Sequence, residues 1–440
     1  MKSFLLFLGD VVALYAALLG ALWLRYGMGF YAEFFRTHVG PFTVIFVPWL
    51  IVFYIAGLYD LRRLRNNLEF SKTLLLAIAV SGGIAIILFY LVPGLGIAPK
   101  TNLLLFLVVF VIVEILWRRI FNLLAGSGDA PNRVLLIGDG ALADEIETAI
   151  RESPQFGYAI AANISAESAA HNPTLLETIT DEMGANLVVV PRHLKRDRNF
   201  AMSLYRLFGR GIIVIDLANF YELVLRKIPL ADLEETWFME NIESAAKFYD
   251  PMKRALELVA ALLMFIVLLP LEILFALLVK LTAPGPAIYH QARVGQYGRP
   301  FMLYKFRTMR NDAEKNGAQW ATGTHDARVT ALGKFLRASH LDELPQLWNV
   351  LRGDISFVGP RPERPEFVEK LKVEVPYYEV RLLVKPGVSG WAQLNHRADL
   401  TTDDVKQKLQ YDIYYLKNRS AILDLAIILK TARSLFVNPK

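Results

Sequence analysis

The chain has 440 residues, 54% of them hydrophobic, a formal net charge of +6 and no cysteine, with a mean hydropathy of +0.34. That length suits two or three domains, each with its own core, and the near-continuous apolar runs point to an integral membrane protein rather than a large soluble one. A modest positive charge without a dense Lys/Arg tract argues against nucleic acid and for anionic headgroups and phosphates. The missing cysteines exclude disulfides, thiolate metal sites and cysteine nucleophiles.

Four apolar segments come first, at 4–24, 44–58, 74–92 and 103–117. A bilayer core of roughly 30 Å takes about 20 residues of helix, so they read as spans, the second and fourth being short. Lys2 ahead of the first resembles the start of a signal peptide, but Asp10 interrupts the run and further spans follow, so it reads as retained. Asp10 and Glu114 are ionisable at membrane depth and should face a bundle interior. Arg62, Arg63, Arg65 and Lys72 follow the second span, and Arg118 and Arg119 the fourth. The positive-inside rule then puts the N-terminus and everything after Trp117 in the cytoplasm.

A polar linker at 126–131 opens a soluble α/β texture. The stretch 134–137 predicts a buried strand, Gly138-Asp139-Gly140 a tight turn and 141–151 a helix, with further strands at 187–190 and 212–215, as in a parallel doubly wound sheet. Gly138, Gly140 and Ala143 fit the dinucleotide pattern G-x-G-x-x-A, whose glycines admit a pyrophosphate at a helix N-terminus. The fit is poor: no acidic residue closes the second strand to hold a ribose, and Asp139 would repel a phosphate. The domain is expected to be Rossmann-like and structural or regulatory.

A charged boundary at 232–251 leads into another apolar stretch. Its uninterrupted part, 258–271, makes only about 21 Å of helix. Pro270 would break it, and Glu272 on a spanning path would cost about 2.5 to 3.5 kcal/mol. Lys253, Arg254 and Lys280 flank both ends. A re-entrant helix over 253–282, broken at Pro270 and returning to the cytoplasmic face, satisfies all three features; a fifth span is the alternative.

Adjacent carboxylates then stand ahead of a proline in His340-Leu341-Asp342-Glu343-Leu344-Pro345-Gln346, followed by Gly359-Pro360-Arg361-Pro362. Taken alone, Asp342 and Glu343 would be an acidic helix start before an amphipathic face. Their company is basic, however: Lys305 and Arg307 upstream, Arg328 and Arg337 between, Arg361 and Arg364 downstream. Arginines in that number suit anionic phosphates.

The run SHLDELPQLWNVLRGDISFVGPRPERP at 339–365 resembles the catalytic signature of the bacterial sugar transferases, the monotopic phosphoglycosyl transferases that load phosphosugars onto polyprenyl phosphate. Gln291 to Gly295 and Val384 to Gln393 match further motifs, and the likeness covers nearly everything from Lys253 to Phe436. The resemblance implies a four-span transmembrane bundle at 1–124, a Rossmann-like α/β domain at 125–245 and a mainly helical catalytic domain at 246–440, with the re-entrant helix and interfacial helices, 422–436 among them. It also implies transfer of a sugar-1-phosphate from a UDP-sugar to undecaprenyl phosphate with release of UMP, the first membrane step of exopolysaccharide, capsule or O-antigen synthesis. The family gives the covalent role to the first carboxylate, hence Asp342, with Glu343 in support. By position and charge, Lys305, Arg307, Arg337 and Arg361 would bind phosphate. His340 departs from the small hydroxyl residue usual there.

Phosphate attacking pyrophosphate needs charge neutralisation and gains from a nucleophile that splits the step in two. Mg²⁺ on Asp342 meets the first need, since it takes one or two carboxylates plus substrate phosphates. The seven histidines form no H-E-x-x-H pair, so zinc is not expected. Two other readings remain. A membrane-bound nucleotide-sugar dehydratase would need a Tyr-x-x-x-Lys helical dyad, and Tyr249 to Lys253 contains Pro251. A non-catalytic assembly platform would not need Asp342, Glu343 and Arg361 intact. The expected setting is the bacterial inner membrane with the site on its cytoplasmic side, and a homodimer through the bundle is a further expectation.

Overall fold

The computed structural model describes residues 2–27, 36–59, 68–91, 100–127, 132–152, 156–172, 175–233, 235–242, 246–282, 284–310, 328–396 and 401–437. The orientation markers Arg62, Arg63 and Arg65, residues 128–131 of the linker and the side chain of Arg433 lie outside the described residues. The chain divides into two units, Met1–Leu217 and Ala218–Lys440.

The first unit begins with α1 (Lys2–Tyr26), α2 (Arg36–Ile55), α3 (Leu68–Leu91) and α4 (Lys100–Ser127). Phe4–Tyr26, Thr37–Ile55 and Phe70–Phe89 are long and apolar enough to cross a membrane. The bundle interior is aromatic: Trp49 is wholly buried, its ring 5.4 Å from Phe106 and 5.5 Å from Phe110, within the range where tilted rings attract. α1 meets α4 at Gly9, where a Cβ would stand 1.8 Å from the Trp117 indole. That indole donates to Asp10 Oδ1 at 3.0 Å.

Asp10 and Glu114 share one cation. Arg118 lies 2.5 Å from Asp10 and 2.6 Å from Glu114, and donates to Leu58 O at 2.8 Å. All three side chains are buried, so Arg118 is the bundle's counter-charge and not the surface marker of orientation that its position suggested. Arg119 beside it is exposed.

The soluble part of this unit alternates β1 (Asn132–Ile137), α5 (Ala141–Glu152), β2 (Tyr158–Ile164), α6 (Ala166–His171), α7 (Leu175–Met183), β3 (Leu187–Val190), α8 (Arg198–Phe208) and β4 (Ile213–Asp216). All strand pairs are parallel, in the order β2-β1-β3-β4, because each strand returns to the sheet through a helix. The central residues Val134 to Ile137 and Leu187 to Val190 are buried on both faces. α5 turns Ala143, Ile146 and Ile150 inward at the three-four spacing of one helical face.

The second unit contains α9 (Leu217–Leu225), α10 (Glu235–Asn241), α11 (Ala246–Thr282), β5 (Ile288–Val294), β6 (Pro300–Phe306), α12 (Ala331–Ala338), α13 (Gln346–Arg352), β7 (Ser356–Val358), α14 (Pro365–Glu374), β8 (Gly387–Ser389), α15 (Trp391–Asn395), α16 (Thr402–Asn418) and α17 (Ala421–Val437). Residues 218–242, which the sequence assigns to the α/β domain, pack here. Ile228, Leu233, Trp237 and Ile242 share a core with Val358, Val368, Tyr378 and Ile413. Lys417 pairs with Glu222 at 2.7 Å, and Trp391 Nε1 donates to Arg226 O at 2.9 Å.

α11 runs for 37 residues with Pro251 and Pro270 inside it, so Pro270 does not end the helix as expected. A proline ring withdraws one N–H and bends the axis, and leucine-rich turns on either side carry the helix past it. Tyr249–Thr282 is also long and apolar enough to cross a membrane, with only 11% of its apolar window buried. Its Ala261 packs with Leu303, Val350 and Ile355. Beyond Pro270, Phe275 and Val279 pack with Phe306 and Leu336. Both arms therefore rest on the same unit.

Candidate active site

Leu341 and Leu344, three residues apart, insert among Phe275, Val279, Phe306 and Leu336. This turns the intervening Asp342 and Glu343 to the other side of a 3-10 turn. The chain enters that turn through His340 in the left-handed region, φ 54°, a strained conformation for a residue with a Cβ. The reversal lets α12 fold back beside the turn. α12 also touches the strand end directly, since a Cβ on Gly333 would stand 2.1 Å from Thr308 O. From the same helix Arg337 Nε donates to Thr308 Oγ1 at 2.9 Å.

α13, which continues from the turn, is fixed to β6 by Asn349. Its side chain is fully buried, donates to Met302 O at 2.7 Å and accepts from Tyr304 N at 3.1 Å. The next residue of β6 is Lys305, whose ammonium lies 5.5 Å from the Tyr289 ring centroid. Asn349 thereby sets the strand that carries Lys305 against the helix that follows Asp342.

Arg361 arrives from a third direction. β7 and β8 pair in parallel, Ser356 with Gly387 and Val358 with Ser389. The approach is so close that a Cβ on Gly387 would stand 2.1 Å from Gly359 N. The Val384 to Gln393 motif thus seats the Pro360-Arg361-Pro362 loop, and Arg361 Nη2 lies 3.8 Å from Glu343 Oε1.

Charges crowded in a half-buried space alter their acid strengths. Burial and then Glu343 push Asp342 up to about 6, against the pull of Lys305 and Arg337. Burial, followed by Arg293 and Arg361, pushes Lys305 down to about 8, with Asp342 opposing. At neutral pH both are mainly charged, a carboxylate beside an ammonium. A carboxylate beside fixed cations in a half-buried space has the chemistry that suits an anionic phosphate.

Residues 248–438 match the bacterial sugar transferase family. A UDP-N-acetylgalactosamine-undecaprenyl-phosphate N-acetylgalactosaminephosphotransferase of Aeromonas hydrophila is 44% identical over 244 residues, 54% of this chain and 57% of its own. A UDP-glucose:undecaprenyl-phosphate glucose-1-phosphate transferase of Caulobacter vibrioides is 41% identical over 189 residues, 42% of this chain and 70% of its own. The chain belongs to the bacterial sugar transferase family. The Escherichia coli UDP-glucose:undecaprenyl-phosphate glucose-1-phosphate transferase is 39% identical over 189 residues, 40% of its length.

In this sugar transferase Asp342, Glu343, Lys305, Arg337 and Arg361 act on one another's charge. Arg307 points elsewhere: its buried guanidinium donates to Pro284 O at 2.7 Å, tying the end of α11 to the end of β6. Sequence reasoning passed over Arg293, whose charge acts on Lys305 and whose affinity for its proton is lowered by burial and by Arg361 and Arg364, against the pull of Glu363. Its place in the Gln291 to Gly295 motif was the available signal. Among the described residues no group of three or more His, Cys, Asp or Glu is gathered for a metal. The adjacent carboxylates Asp342 and Glu343 still fit Mg²⁺, which completes its shell with substrate phosphates and water.

The remaining sequence candidates are placed as follows. Gly138 and Gly140 have φ of 155° and 83°, Ala143 is buried under the sheet, and Asp139 accepts from Ala166 N at 2.9 Å, so its carboxylate is engaged at the start of α6. Tyr249 and Lys253 do share a helix face despite Pro251, since α11 continues through it. Both are bound to Asp424, at 2.5 and 2.7 Å, and Lys253 also donates to Val358 O. They anchor α11 to α17 and β7. Lys430 of α17 lies 4.6 Å from the Trp391 ring centroid.

Proposed function

We propose that this sugar transferase moves a sugar-1-phosphate from a UDP-sugar to undecaprenyl phosphate, by way of a covalent intermediate on Asp342. The observation that carries the reading is a half-buried carboxylate with its pKa pushed up to about 6, facing Lys305 and Arg337 in a chain whose relatives are named for this transfer. An Asp342 oxygen attacks the sugar-bearing phosphorus. A bond from that oxygen to phosphorus forms as the bond to the bridging oxygen breaks, and UMP leaves with that oxygen and its electron pair. A phosphate oxygen of the lipid then attacks the same phosphorus and returns Asp342 as a carboxylate. Lys305, Arg337 and Arg361 neutralise the phosphates, and Glu343 aligns Arg361. Mg²⁺, held by Asp342 and Glu343, would supply further charge neutralisation when bound.

The topology proposed alongside is re-entrant: α11 dips into the cytoplasmic leaflet of the inner membrane and bends at Pro270. Support comes from its two arms resting on one unit and from the exposed apolar residues between them, Leu263, Ile266 and Val267 among them. α17 offers Ile422, Leu425 and Ile428 on one exposed face, which suits the lipid interface. The parallel sheet of the first unit is read as Rossmann-like and structural or regulatory.

The test is acceptor-free turnover in nanodiscs. Enzyme, Mg²⁺ and a panel of UDP-sugars should release about one UMP per active site and leave a phosphosugar on Asp342 by intact mass, as a two-step covalent mechanism requires. Turnover that needs lipid and leaves no adduct would mean direct transfer, with Asp342 as a metal ligand alone.

A further inference from the structure

We propose that Arg381, with its buried partner Asp412, is a positioning residue that sets Arg361 in the site. The proposal rests on the reading of Arg361 as a phosphate-binding group. Pro360 and Pro362 contribute no N–H, which limits how this loop can close on itself. Its three successive carbonyls are instead taken by donors from other elements. Gly387 N donates to Pro360 O at 2.9 Å, Arg381 Nη2 to Arg361 O at 2.9 Å and Arg293 Nη1 to Pro362 O at 3.0 Å.

Of these three donors, Arg381 grips the residue whose side chain reaches Glu343. Its own position is set by Tyr378 and Asp412, although Nε and Asp412 Oδ2 approach without the geometry of a hydrogen bond. Nη1 donates to Tyr378 OH at 2.8 Å, and Nε lies 3.0 Å from Asp412 Oδ2, the two side chains being 7% and 2% exposed. A buried ion pair is seldom more stabilising than apolar residues of the same volume. An apolar pair cannot hold a carbonyl at a fixed point, however, and this guanidinium does. A small pocket beside the loop is lined by Val294, Pro360, Glu363, Arg381 and Val384.

The experiment uses the full chain in nanodiscs. Arg381→Met combined with Asp412→Leu removes both charges and leaves neither unpaired. With UDP-N-acetylgalactosamine and UDP-glucose as donors and undecaprenyl phosphate as acceptor, kcat should fall on the order of 10²-fold, the usual cost of a misplacement of about 1 Å. In an Arg361→Ala background the same pair should change kcat less than about threefold, because residues acting through one another are not additive. Its effect on Tm should be equal in both backgrounds. Independent losses in kcat would overturn the proposal and leave Arg381 a purely structural group. Should the double variant fail to fold, Arg381→Lys keeps the charge against Asp412 but lacks the fork that reaches Arg361 O, and the same comparison is made with it.

Hydrogen exchange over 356–364 needs no donor. Exchange there should speed by about tenfold or more while α13, which carries neither substitution, is unchanged, the mark of a local opening. Unaltered exchange overturns the brace whatever the activity. Accelerated exchange in a protein whose wild type is silent on both donors upholds the brace and sinks the transfer reading for these donors instead.

Discussion

The side chain of Asn349 pairs with Tyr304 as a neighbouring strand would, accepting from its backbone N–H at 3.1 Å while donating to Met302 O two residues earlier. This amide ties α13 to β6, and so the Asp342 turn to Lys305. Asn349→Leu keeps the branched outline of the side chain but leaves a buried donor and acceptor without partners. Each costs about 1 to 3 kcal/mol, so chemical or thermal unfolding should show a loss of roughly 2 to 6 kcal/mol. Transfer should fall further than stability alone explains.

Activity should be bell-shaped in pH. Asp342 must be ionised to attack and titrates at about 6, while Lys305 must be protonated and titrates at about 8. The rate should rise through the first value and fall through the second. Stability runs the other way. The raised pKa of Asp342 contributes stability below its ordinary 3.8 that is lost as pH rises through about 6, and the lowered pKa of Lys305 contributes above 10.5 and is lost as pH falls through about 8. At pH 7 both charges are held at a cost. Asp342→Asn should therefore abolish transfer, by on the order of 10⁴-fold, without lowering Tm. A drop in Tm would show that the carboxylate is a structural partner of Lys305.

Because the chain has no cysteine, single cysteines report topology without background. Ala255 in α11 and His290 in β5 are both exposed. Ala255→Cys and His290→Cys should react with an impermeant maleimide from the same face of oriented membrane vesicles. Labelling from opposite faces would establish a span.

Where the chain can be cut follows from the packing of residues 218–242. A truncated chain starting at Ala218 keeps Ile228, Leu233, Trp237 and Ile242 in the core they share with Val358 and Ile413. One starting at Phe248 exposes that core and loses about 1.5 to 3 kcal/mol for each large side chain removed. The first should retain UMP release; the second should unfold at lower temperature or aggregate.

In the bundle, Arg118→Met would leave Asp10 and Glu114 buried without their cation. Removing one partner of a buried pair commonly costs about 3 to 5 kcal/mol, and a thermal scan in detergent should show it. Replacing all three by apolar residues should recover most of the loss.

The sequence by itself determined the local periodicities and the chemistry of the signature. Apolar runs approaching about 20 residues read as helices in or against lipid. Buried strands joined by amphipathic helices predict a parallel sheet, and Asp342-Glu343 with the Pro-Arg-Pro segment marked the candidate site. None of these depends on distant contacts. The tertiary structure decided what depends on partners far apart in the chain. Arg118 and Asp10 are 108 residues apart, so the sequence could not show that one neutralises the other. Arg307 looked equivalent to Lys305 and was turned away toward Pro284 only by packing beyond the end of β6. Trp237 has the same composition around it whichever domain it joins, and only its burial with Tyr378 and Ile413 assigns it to the second unit. The support of Arg361 by Arg381 and Asp412 was invisible for the same reason: a guanidinium that binds a backbone carbonyl recognises a place in the fold, and no residue type at the other end records it.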